Sequence, residues 1–400
     1  DSMSDPALVN VMVNTSPKYF DILLDAGLQV RHTLARPGGH YGFRTYVTEN
    51  SIGSDITNIQ RKLVDESGAK VELETKMVQI YRTSDEAQRV VGIKVQTKDG
   101  SFKNIAATKG VILATGGFSS NKEMRQLHVP YLTENLPTTN NVCSTGEGIQ
   151  LAQAVGANTV QMSYIQRYPW ANPVNGVLDT YAVIPFTGPS YGVIYVDQEG
   201  NRYVNEGDRR DVCANAAIAT GGVTTFSIFT RDIVSFSTDK DIENGIAAGR
   251  ILKADTLEDL VAQINEVEVK GVKSNMDVAT LKATIDKHNG FIASKTDADF
   301  GKVMADTMLP INEGPYYAIP QWPSVHHTMG GLAITPKAEV KDIYNNVIPG
   351  LYAAGEVTGG VHGTNRLGSN ADADACSFGY VAGTVVTTGE MPDFIPELAK

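Results

Sequence analysis

Two short apolar segments of the chain each run directly into a cluster of glycines. The first is residues 110–117 (GVILATGG), and the second is residues 347–360 (VIPGLYAAGEVTGG). A short apolar run bounded by glycines predicts a strand that is buried on both faces of a parallel or mixed sheet. Because glycine has no Cβ, the backbone after each strand can pass close to a flat ligand. For the first segment alone, an ordinary tight turn explains the glycines equally well.

The chain has 400 residues, which are too many for one ordinary hydrophobic core. Its local composition also changes along the sequence. Aromatic, Pro-rich sequence begins near Tyr168, a charged helical stretch follows at about residues 240–295, and the glycine-rich texture returns near Tyr317. We therefore predict an α/β (α+β) fold with a mixed or parallel sheet. One domain, residues 1–167 and 317–400, is expected to be interrupted by an inserted domain, residues 168–316.

Apolar periodicity and terminal signals predict several elements within this frame. Residues 6–26 are expected to be helical, with Pro17 dividing them into two helices. The remaining elements are a helix over residues 56–66 that ends at Gly68, strands over residues 70–74 and 90–96, and a helix over residues 372–385.

Charge and cysteine content exclude several classes of partner. The formal net charge is −11 without an offsetting basic cluster, so nucleic acid and anionic membranes are poor partners. No apolar run approaches the ~18–20 residues of a membrane span. The three cysteines form no C-x-x-C pair, which excludes a disulfide scaffold. The composition is that of a soluble globular protein, either periplasmic or cytoplasmic.

Several polar residues stand where a ligand would meet the glycine-rich segments. His326 and His327 are adjacent, and no further ligand at convincing spacing supports a metal site. Since neighbours in a strand point to opposite faces, one histidine could meet a cofactor and the other a substrate. Glu356 directly follows a buried strand, where it can accept hydrogen bonds from ribose or ribityl hydroxyls or simply be a solvated loop residue.

Arginines are the natural partners of a carboxylate in so acidic a chain. Arg366 lies among glycines and small residues, which favours a planar, bidentate clamp over a solvated face. A helix that opens at residues 369–371 would add its N-terminal N–H groups near an anion or an electron-rich ring. Residues 202–211 (RYVNEGDRRD) interleave three arginines with three carboxylates, and a surface ion-pair cluster explains them about as well as a site does.

Together these motifs resemble the flavoprotein family of soluble fumarate reductases over about residues 5–385. The family includes urocanate reductase, other 2-enoate reductases and, more distantly, 3-ketosteroid dehydrogenases and the flavin subunit of succinate dehydrogenase. The most specific strings are residues 326–331 (HHTMGG) and 355–366 (GEVTGGVHGTNR). The fold implied is an FAD-binding α/β domain with an inserted capping domain that closes over the substrate.

The resemblance also implies roles for individual residues. Arg210, rather than Arg209, would be the proton donor. Substrate would be held by Arg366, His326, Tyr168 and Ser369. FAD would be contacted by Thr115, Gly116, Gly117, Glu147, Gly148, His327, Glu356, Ala371 and Asp372.

Two departures from the family pattern bear on function. The amino-terminal strand and G-x-G-x-x-G turn, which hold the ADP half of FAD in the family, are not found, so we expect the chain to be part of a longer protein. Fumarate reductases have a histidine where this chain has Tyr168, and a glutamate and an arginine of a proton relay align with Phe186 and Pro189. A tyrosine at this position resembles urocanate reductase. Nearby aromatic residues would suit a flat ring or simply pack the cap: Trp170, Tyr181 and Phe186.

The resemblance implies reduction of the C=C bond of an α,β-unsaturated carboxylate, with hydride from N5 of FAD and the proton from Arg210. Urocanate or another ring-bearing enoate is favoured. The alternatives are a fumarate reductase, a ketosteroid-type dehydrogenase and a flavin-less binding protein. Glu206, Asp208 and Asp211 are the candidates to resupply the proton to Arg210, and an unidentified module or protein is expected to donate the electrons.

Overall fold

The computed structural model of the protein describes residues 3–37, 39–130, 132 and 136–393. Its helices are α1 (Pro6–Asp25), α2 (Ser54–Ser67), α3 (Lys122–His128), α4 (Glu147–Gln153), α5 (Val183–Thr187), α6 (Arg210–Ala219), α7 (Asp239–Ala247), α8 (Leu257–Glu266), α9 (Val278–Ser294) and α10 (Asn370–Thr388). Its strands are β1 (Thr75–Arg82), β2 (Val90–Thr97), β3 (Phe102–Ala106), β4 (Val111–Leu113), β5 (Thr159–Val160), β6 (Ile165–Ala171), β7 (Ile194–Val196), β8 (Thr225–Thr230), β9 (Leu252–Ala254), β10 (Glu268–Val269), β11 (Val272–Lys273), β12 (Tyr316–Thr328), β13 (Gly331–Leu332), β14 (Glu339–Lys341) and β15 (Val347–Ala353).

The two glycine-bounded segments form neighbouring strands of one mixed sheet. β4 and β15 pair in parallel, with Leu351 opposite Val111 and Ala353 opposite Leu113. β14 adds an antiparallel edge, so the strand order is β14-β15-β4. The predicted mixed sheet is thus confirmed, and the glycines after β4 and β15 lie side by side because parallel strands end at the same edge.

A second, antiparallel sheet carries the aromatic part of the chain. Its order is β6-β12-β8-β7, and β9 also pairs with β12. The aromatic core on this sheet includes Trp170, Tyr195 and Phe226, all fully buried. Both proposed domain boundaries fall inside strands of this one sheet, at residues 167/168 in β6 and 316/317 in β12. The division into domains therefore stays a prediction.

The predicted break at Pro17 is wrong, because α1 continues through it as one helix from Pro6 to Asp25. Proline removes a backbone donor and crowds the preceding turn, which costs about 3 kcal/mol in an isolated helix. Here α1 packs along α10 and buries Leu8, Val11 and Leu23. Burial of this apolar face outweighs the local cost.

The strand predicted for residues 70–74 is also wrong. The first strand of this region is β1, and its pairing with β2 begins with Thr75 opposite Thr97, the last residue of β2. The chain turns at residues 98–101, so β2 has no further backbone to pair with residues 70–74. Glu74 instead forms an exposed ion pair with Lys98.

Most predicted helices are confirmed. α2 covers residues 56–66 and is capped by Gly68 in the left-handed conformation, with φ 72°. α10 covers residues 372–385, and α7, α8 and α9 account for the charged helical stretch. None of the helices in the described ranges is both long enough and apolar enough to cross a membrane.

Candidate active site

Four predicted site residues lie together between the two sheets. Tyr168 is on β6, His326 is near the end of β12, Arg210 is the first residue of α6, and Arg366 is in the loop before α10. Tyr168, Arg210 and Arg366 are buried, with exposed fractions of 3%, 5% and 5%. Two arginines removed from water in one place, with no carboxylate of the described residues shared between them, form a site that favours an anion.

Arg210 lies between two aromatic rings. Its Cζ is 4.9 Å from the ring centre of Tyr168 and 5.0 Å from that of Phe186. Its Nη1 donates to Oε1 of Gln166 at 3.2 Å. Burial, and then the charge of Arg366, lower the pKa of Arg210 to about 9. The guanidinium therefore releases a proton more readily than an arginine in water.

Arg366 and His326 provide donors for a carboxylate. Arg366 donates from Nη1 to the Leu367 carbonyl at 3.2 Å, while its buried Nε has no partner among the described residues. Nδ1 of His326 is 2.6 Å from Oγ1 of Thr139. Burial, together with the charges of Arg366 and Arg210, keeps the pKa of His326 well below its usual value. His326 is thus a neutral imidazole beside two guanidinium groups.

Gln166 links the two arginines, and the sequence analysis missed it. Its Nε2 donates to Oδ1 of Asn365 at 2.7 Å and to the Arg366 carbonyl at 2.5 Å, while its Oε1 accepts from Arg210. The signal that could have found it is alternation, since Gln166 and Tyr168 share one face of β6. The same alternation places Arg167 on the opposite face, away from Tyr168.

One end of the site is aromatic. The Tyr168 ring lies 5.2 Å from that of Trp170 in an edge-on arrangement and 4.9 Å from that of His326. Trp170 lies 5.7 Å from Phe186. Burial raises the pKa of Tyr168 to about 12, so its phenol is neutral near pH 7. Tyr181, by contrast, packs against Gly245 of α7.

The opposite face of β12 presents His327 to a second group of buried polar residues. Nδ1 of His327 is 3.6 Å from Oε2 of Glu356, whose Oε1 accepts from the backbone N–H of Thr328 at 2.8 Å. The His327 ring lies 5.2 Å from that of His362, which is 3.0 Å from a carboxylate oxygen of Asp374. The two neighbouring histidines therefore serve different sides, as β-strand geometry predicts. Among the described residues, no group of three or more His, Cys, Asp or Glu is placed to hold a metal ion.

Three glycine-rich loops converge beside Glu356. A Cβ at Gly117 would be 2.1 Å from Oγ1 of Thr328 and 2.6 Å from Oε1 of Glu356. A Cβ at Gly148 would be 2.0 Å from Oγ1 of Thr115. Only glycine fits at either position, so the backbone itself packs against these side chains.

The other predicted cofactor residues lie on these glycine-rich loops or at the starts of α4 and α10. Gly116 is in the left-handed region with φ 73°, next to exposed Thr115. Ala371 and Asp372 are in the first turn of α10, after exposed Ser369. The Glu147 side chain points elsewhere, since its carboxylate binds Nζ of Lys76 at 2.8 Å on the surface. These assignments, and that of Ser369, stay predictions.

The surface-cluster interpretation of residues 202–211 is wrong for the first half of the segment. Arg202 binds Glu206 at 2.7 Å and Asp297 at 2.9 Å, and Lys302 binds Glu206 at 3.1 Å. All four side chains are almost fully buried. A buried and mutually paired network fixes the backbone that leads into α6 and thereby the position of Arg210.

The second half of the segment separates the two adjacent arginines. Arg209 is partly exposed and binds Asp211 at 2.7 Å, whereas Arg210 points inward. The three carboxylates predicted to resupply Arg210 have other partners: Glu206 is held by Arg202, Asp211 by Arg209, and Asp208 accepts from the Arg209 backbone N–H at 2.6 Å. In the described part of the chain, none of the three is bonded to Arg210.

Tightly packed glycine-rich loops beside a buried, cationic and aromatic site are features of a flavoprotein. Known proteins agree with this class. The chain belongs to the FAD binding domain family, whose model matches residues 1–371. The predictions of an FAD-dependent oxidoreductase family and of FAD as its cofactor are thereby confirmed.

Several curated relatives share about a third of the sequence. A probable fumarate reductase of Shewanella frigidimarina is 34% identical over 95% of this chain and 61% of its own length. A urocanate reductase of Eggerthella lenta is 33% identical over 96% of this chain and 62% of its own length. An NADH:acrylate oxidoreductase of Vibrio harveyi is 33% identical over 94% of this chain and 36% of its own length. The chain thus spans less than two thirds of the length of these relatives.

Solved structures show the same fold. The open conformation of a flavocytochrome c3 fumarate reductase superposes with a TM-score of 0.73 at 32% identity, covering 96% of this chain and 64% of that one. A 3-ketosteroid Δ1-dehydrogenase from Sterolibacterium denitrificans has a TM-score of 0.62 at 23% identity, covering 85% of this chain and 64% of that one, which shows a shared fold alone.

Proposed function

We propose that the protein is an FAD-dependent reductase of the C=C bond of an α,β-unsaturated carboxylate. The observation that carries the proposal is the position of Arg210. It lies buried between Tyr168 and Phe186, with its pKa lowered to about 9, beside Arg366 and His326. Reduction of an enoate needs an anion clamp and a nearby acid, and this site provides both.

The residues around the glycine-rich loops fit FAD. Gly117 and Gly148 leave no room for side chains, and Glu356 presents a fixed carboxylate that can accept hydrogen bonds from hydroxyl groups. The N-terminus of α10, where Ser369 makes no side-chain capping bond, adds the positive end of the helix dipole. Thr115, Gly116, His327, Ala371 and Asp372 would complete the contacts. Bound FAD would supply the hydride that adds to the β carbon.

The chain's own residues account for the remaining steps. Arg366 and His326 would hold the substrate carboxylate and stabilise the negative charge that develops there as the β carbon becomes saturated. Arg210 would then donate one proton to the α carbon, which gives the saturated acid and leaves Arg210 neutral. The relatives' names, which include fumarate, urocanate and acrylate reductases, support this class of reaction.

Full-length protein, purified without oxygen, tests the function directly. We expect a yellow protein with bound FAD that oxidises a reduced viologen dye when an enoate is added. A protein that stays colourless after incubation with FAD would favour the flavin-less alternative. A yellow protein that oxidises a ketosteroid and ignores enoates would favour the dehydrogenase. The dye stands in for the electron donor, which we propose is a separate module or protein.

A ring-bearing monocarboxylate should be reduced faster than fumarate, with urocanate first and a cinnamate-like acid second. Arg366 and His326 account for one carboxylate. The second carboxylate of fumarate would meet Tyr168 and Trp170 in place of a histidine. Left unpaired there, it costs several kcal/mol, and paired with Arg210, which stacks on Tyr168, it would raise the pKa of the proton donor. A neutral ring can instead stack on the two aromatic side chains. The measurement is kcat/KM for each acid with the same viologen donor.

The variant Tyr168→His provides the matched comparison. It restores a group that can become cationic at the far end, so it should shift the ratio of kcat/KM towards fumarate. If the unsubstituted protein instead prefers fumarate by more than about tenfold, roughly 1.4 kcal/mol of transition-state preference, the chain is a fumarate reductase and the aromatic residues only pack the core.

A further inference from the structure

After each turnover, a neutral Arg210 must regain a proton before it can act again. The rings of Tyr168 and Phe186 cover two sides of its guanidinium group, and Gln166 accepts from a third. No carboxylate among the described residues forms a hydrogen bond or an ion pair with it. Within the described part of the chain, the proton must therefore come from a titratable group of another kind.

His40 lies next to Arg210 across a single glycine. Its side chain is buried, and its Nε2 is 3.0 Å from the carbonyl oxygen of Gly368. Gly368 in turn lies against Arg210, since a Cβ at this glycine would be 3.2 Å from Nη2 of Arg210. The same Cβ would be 2.5 Å from the Phe186 ring. The glycine therefore keeps the imidazole and the guanidinium group close together.

His40 also borders a small cavity on the far side of Phe186. The cavity has a volume of about 60 Å³, and its lining includes Pro189, Ser190 and Gly207. This volume is enough for a water molecule, which needs about 10–15 Å³ by the same kind of measure. His40 thus connects a space that water can fill with the buried surroundings of Arg210.

The charges around His40 respond to the protonation state of Arg210. Burial, and then the charges of Arg44, Arg210 and Arg36, lower the pKa of His40 to about 4, against the Gly368 carbonyl, which raises it. Lys302 lines the same cavity, but Glu206 pairs with it. When Arg210 gives up its proton, one of the three repelling charges disappears. His40 then takes up a proton more readily, at the moment when Arg210 needs one.

We propose that His40 returns the proton to Arg210 after each turnover. In this step, Nδ1 of His40 gains a proton that bulk solvent delivers through cavity water, and it gives up the hydrogen bond from Nε of Arg44, which is 3.1 Å long at rest. The Nε2–H bond breaks as an N–H bond forms on Nη2 of Arg210. One proton enters, one is passed on, and the imidazole remains neutral with its proton on Nδ1. Before the next cycle the Nδ1 proton returns to solvent and Nε2 takes one up, which restores the resting tautomer. His40 acts only through Arg210, so this inference rests on the proposed function.

The test compares a single turnover with repeated turnover in His40→Gln, whose amide can still donate to the Gly368 carbonyl. Arg210 begins a single turnover already protonated. Reoxidation of the pre-reduced flavin by one equivalent of enoate should therefore stay within about twofold of the unsubstituted rate. Steady-state turnover at pH 8 should fall by tenfold or more, decline further as the pH rises, and be partly restored by added imidazole. His32→Gln, a change to an exposed histidine in the same segment, should alter neither phase.

Equal losses in both phases would show that His40 only supports the structure, and an unchanged steady state would show that it is dispensable; either result overturns the proposal.

A second measurement needs no turnover. In the oxidised protein, the NMR titration midpoint of His40 should move upward in Arg210→Gln, because one repelling charge is gone. An unmoved midpoint would refute the coupling even if the protein proved not to reduce enoates, whereas a shift together with inactive unsubstituted protein would fault the proposed function alone.

Discussion

Replacing Arg210 with lysine should remove nearly all turnover while leaving flavin and substrate binding close to normal. Lysine keeps the charge but cannot stack as a plane between Tyr168 and Phe186 or keep the same bond to Gln166. Loss of a positioned general acid lowers rates by roughly 10²–10⁴-fold, and we expect kcat to fall within this range. The measurements are kcat, flavin content and the substrate Kd from flavin difference spectra.

The unsubstituted protein supplies a second check on Arg210 through its pH dependence. The protonated form is the acid, so kcat should hold below the pKa of about 9 and decline above it. Arg209→Lys is the matched control, because Arg209 is partly exposed and pairs with Asp211. If Arg209→Lys is the damaging change and Arg210→Lys is not, the proton donor has been assigned to the wrong arginine.

Arg366→Ala should weaken binding of the enoate by ~2–5 kcal/mol, the range for removing one member of a buried charge pair. Arg366 is buried, its Nε has no partner in the described part of the chain, and its charge also lowers the pKa of Arg210. Any residual activity should therefore persist to higher pH than in the unsubstituted protein. Equilibrium titration with a saturated analogue measures the affinity without turnover.

Arg61→Ala serves as the control for this loss, since Arg61 is an exposed arginine of α2 that pairs only with a neighbouring turn of its own helix. It should change neither affinity nor kcat. Unchanged affinity in Arg366→Ala would show that the carboxylate is held elsewhere, and His326 would then be the next residue to replace.

Local sequence predicted the parts of the fold in which a short pattern determines the structure. The apolar runs before Gly116 and Gly355 became parallel neighbours, because burial and glycine geometry act within a few residues. The expected helix break at Pro17 does not occur, because the packing of α1 on α10 overrides the local preference of proline. Residues 70–74 do not form the expected strand. Whether they can pair depends on where a partner strand ends, and their own sequence does not contain that information.

The candidate site divides in the same way. His326 and Arg366 lie in sequence motifs that are distinctive enough to be recognised from the sequence alone. Gln166 and His40 are single polar residues in unremarkable sequence, and only the fold gives them partners. His40 is 328 residues away along the chain from Gly368, the residue whose carbonyl it contacts. No periodicity or spacing rule links positions so far apart.

β12 is one long strand that pairs with three other strands and ends beside Glu356. Its 13 residues extend for roughly 43 Å at about 3.3 Å per residue. The first part is bonded to β8 and β9, the next to β6, and its last residue, Thr328, holds Glu356. From Tyr316 to Gln321 the ladder to β8 is regular, so a hinge there would break its hydrogen bonds. A motion that admits a substrate would therefore leave this part of β12 and its partner strands in place, and would be carried by elements that are not bonded to it.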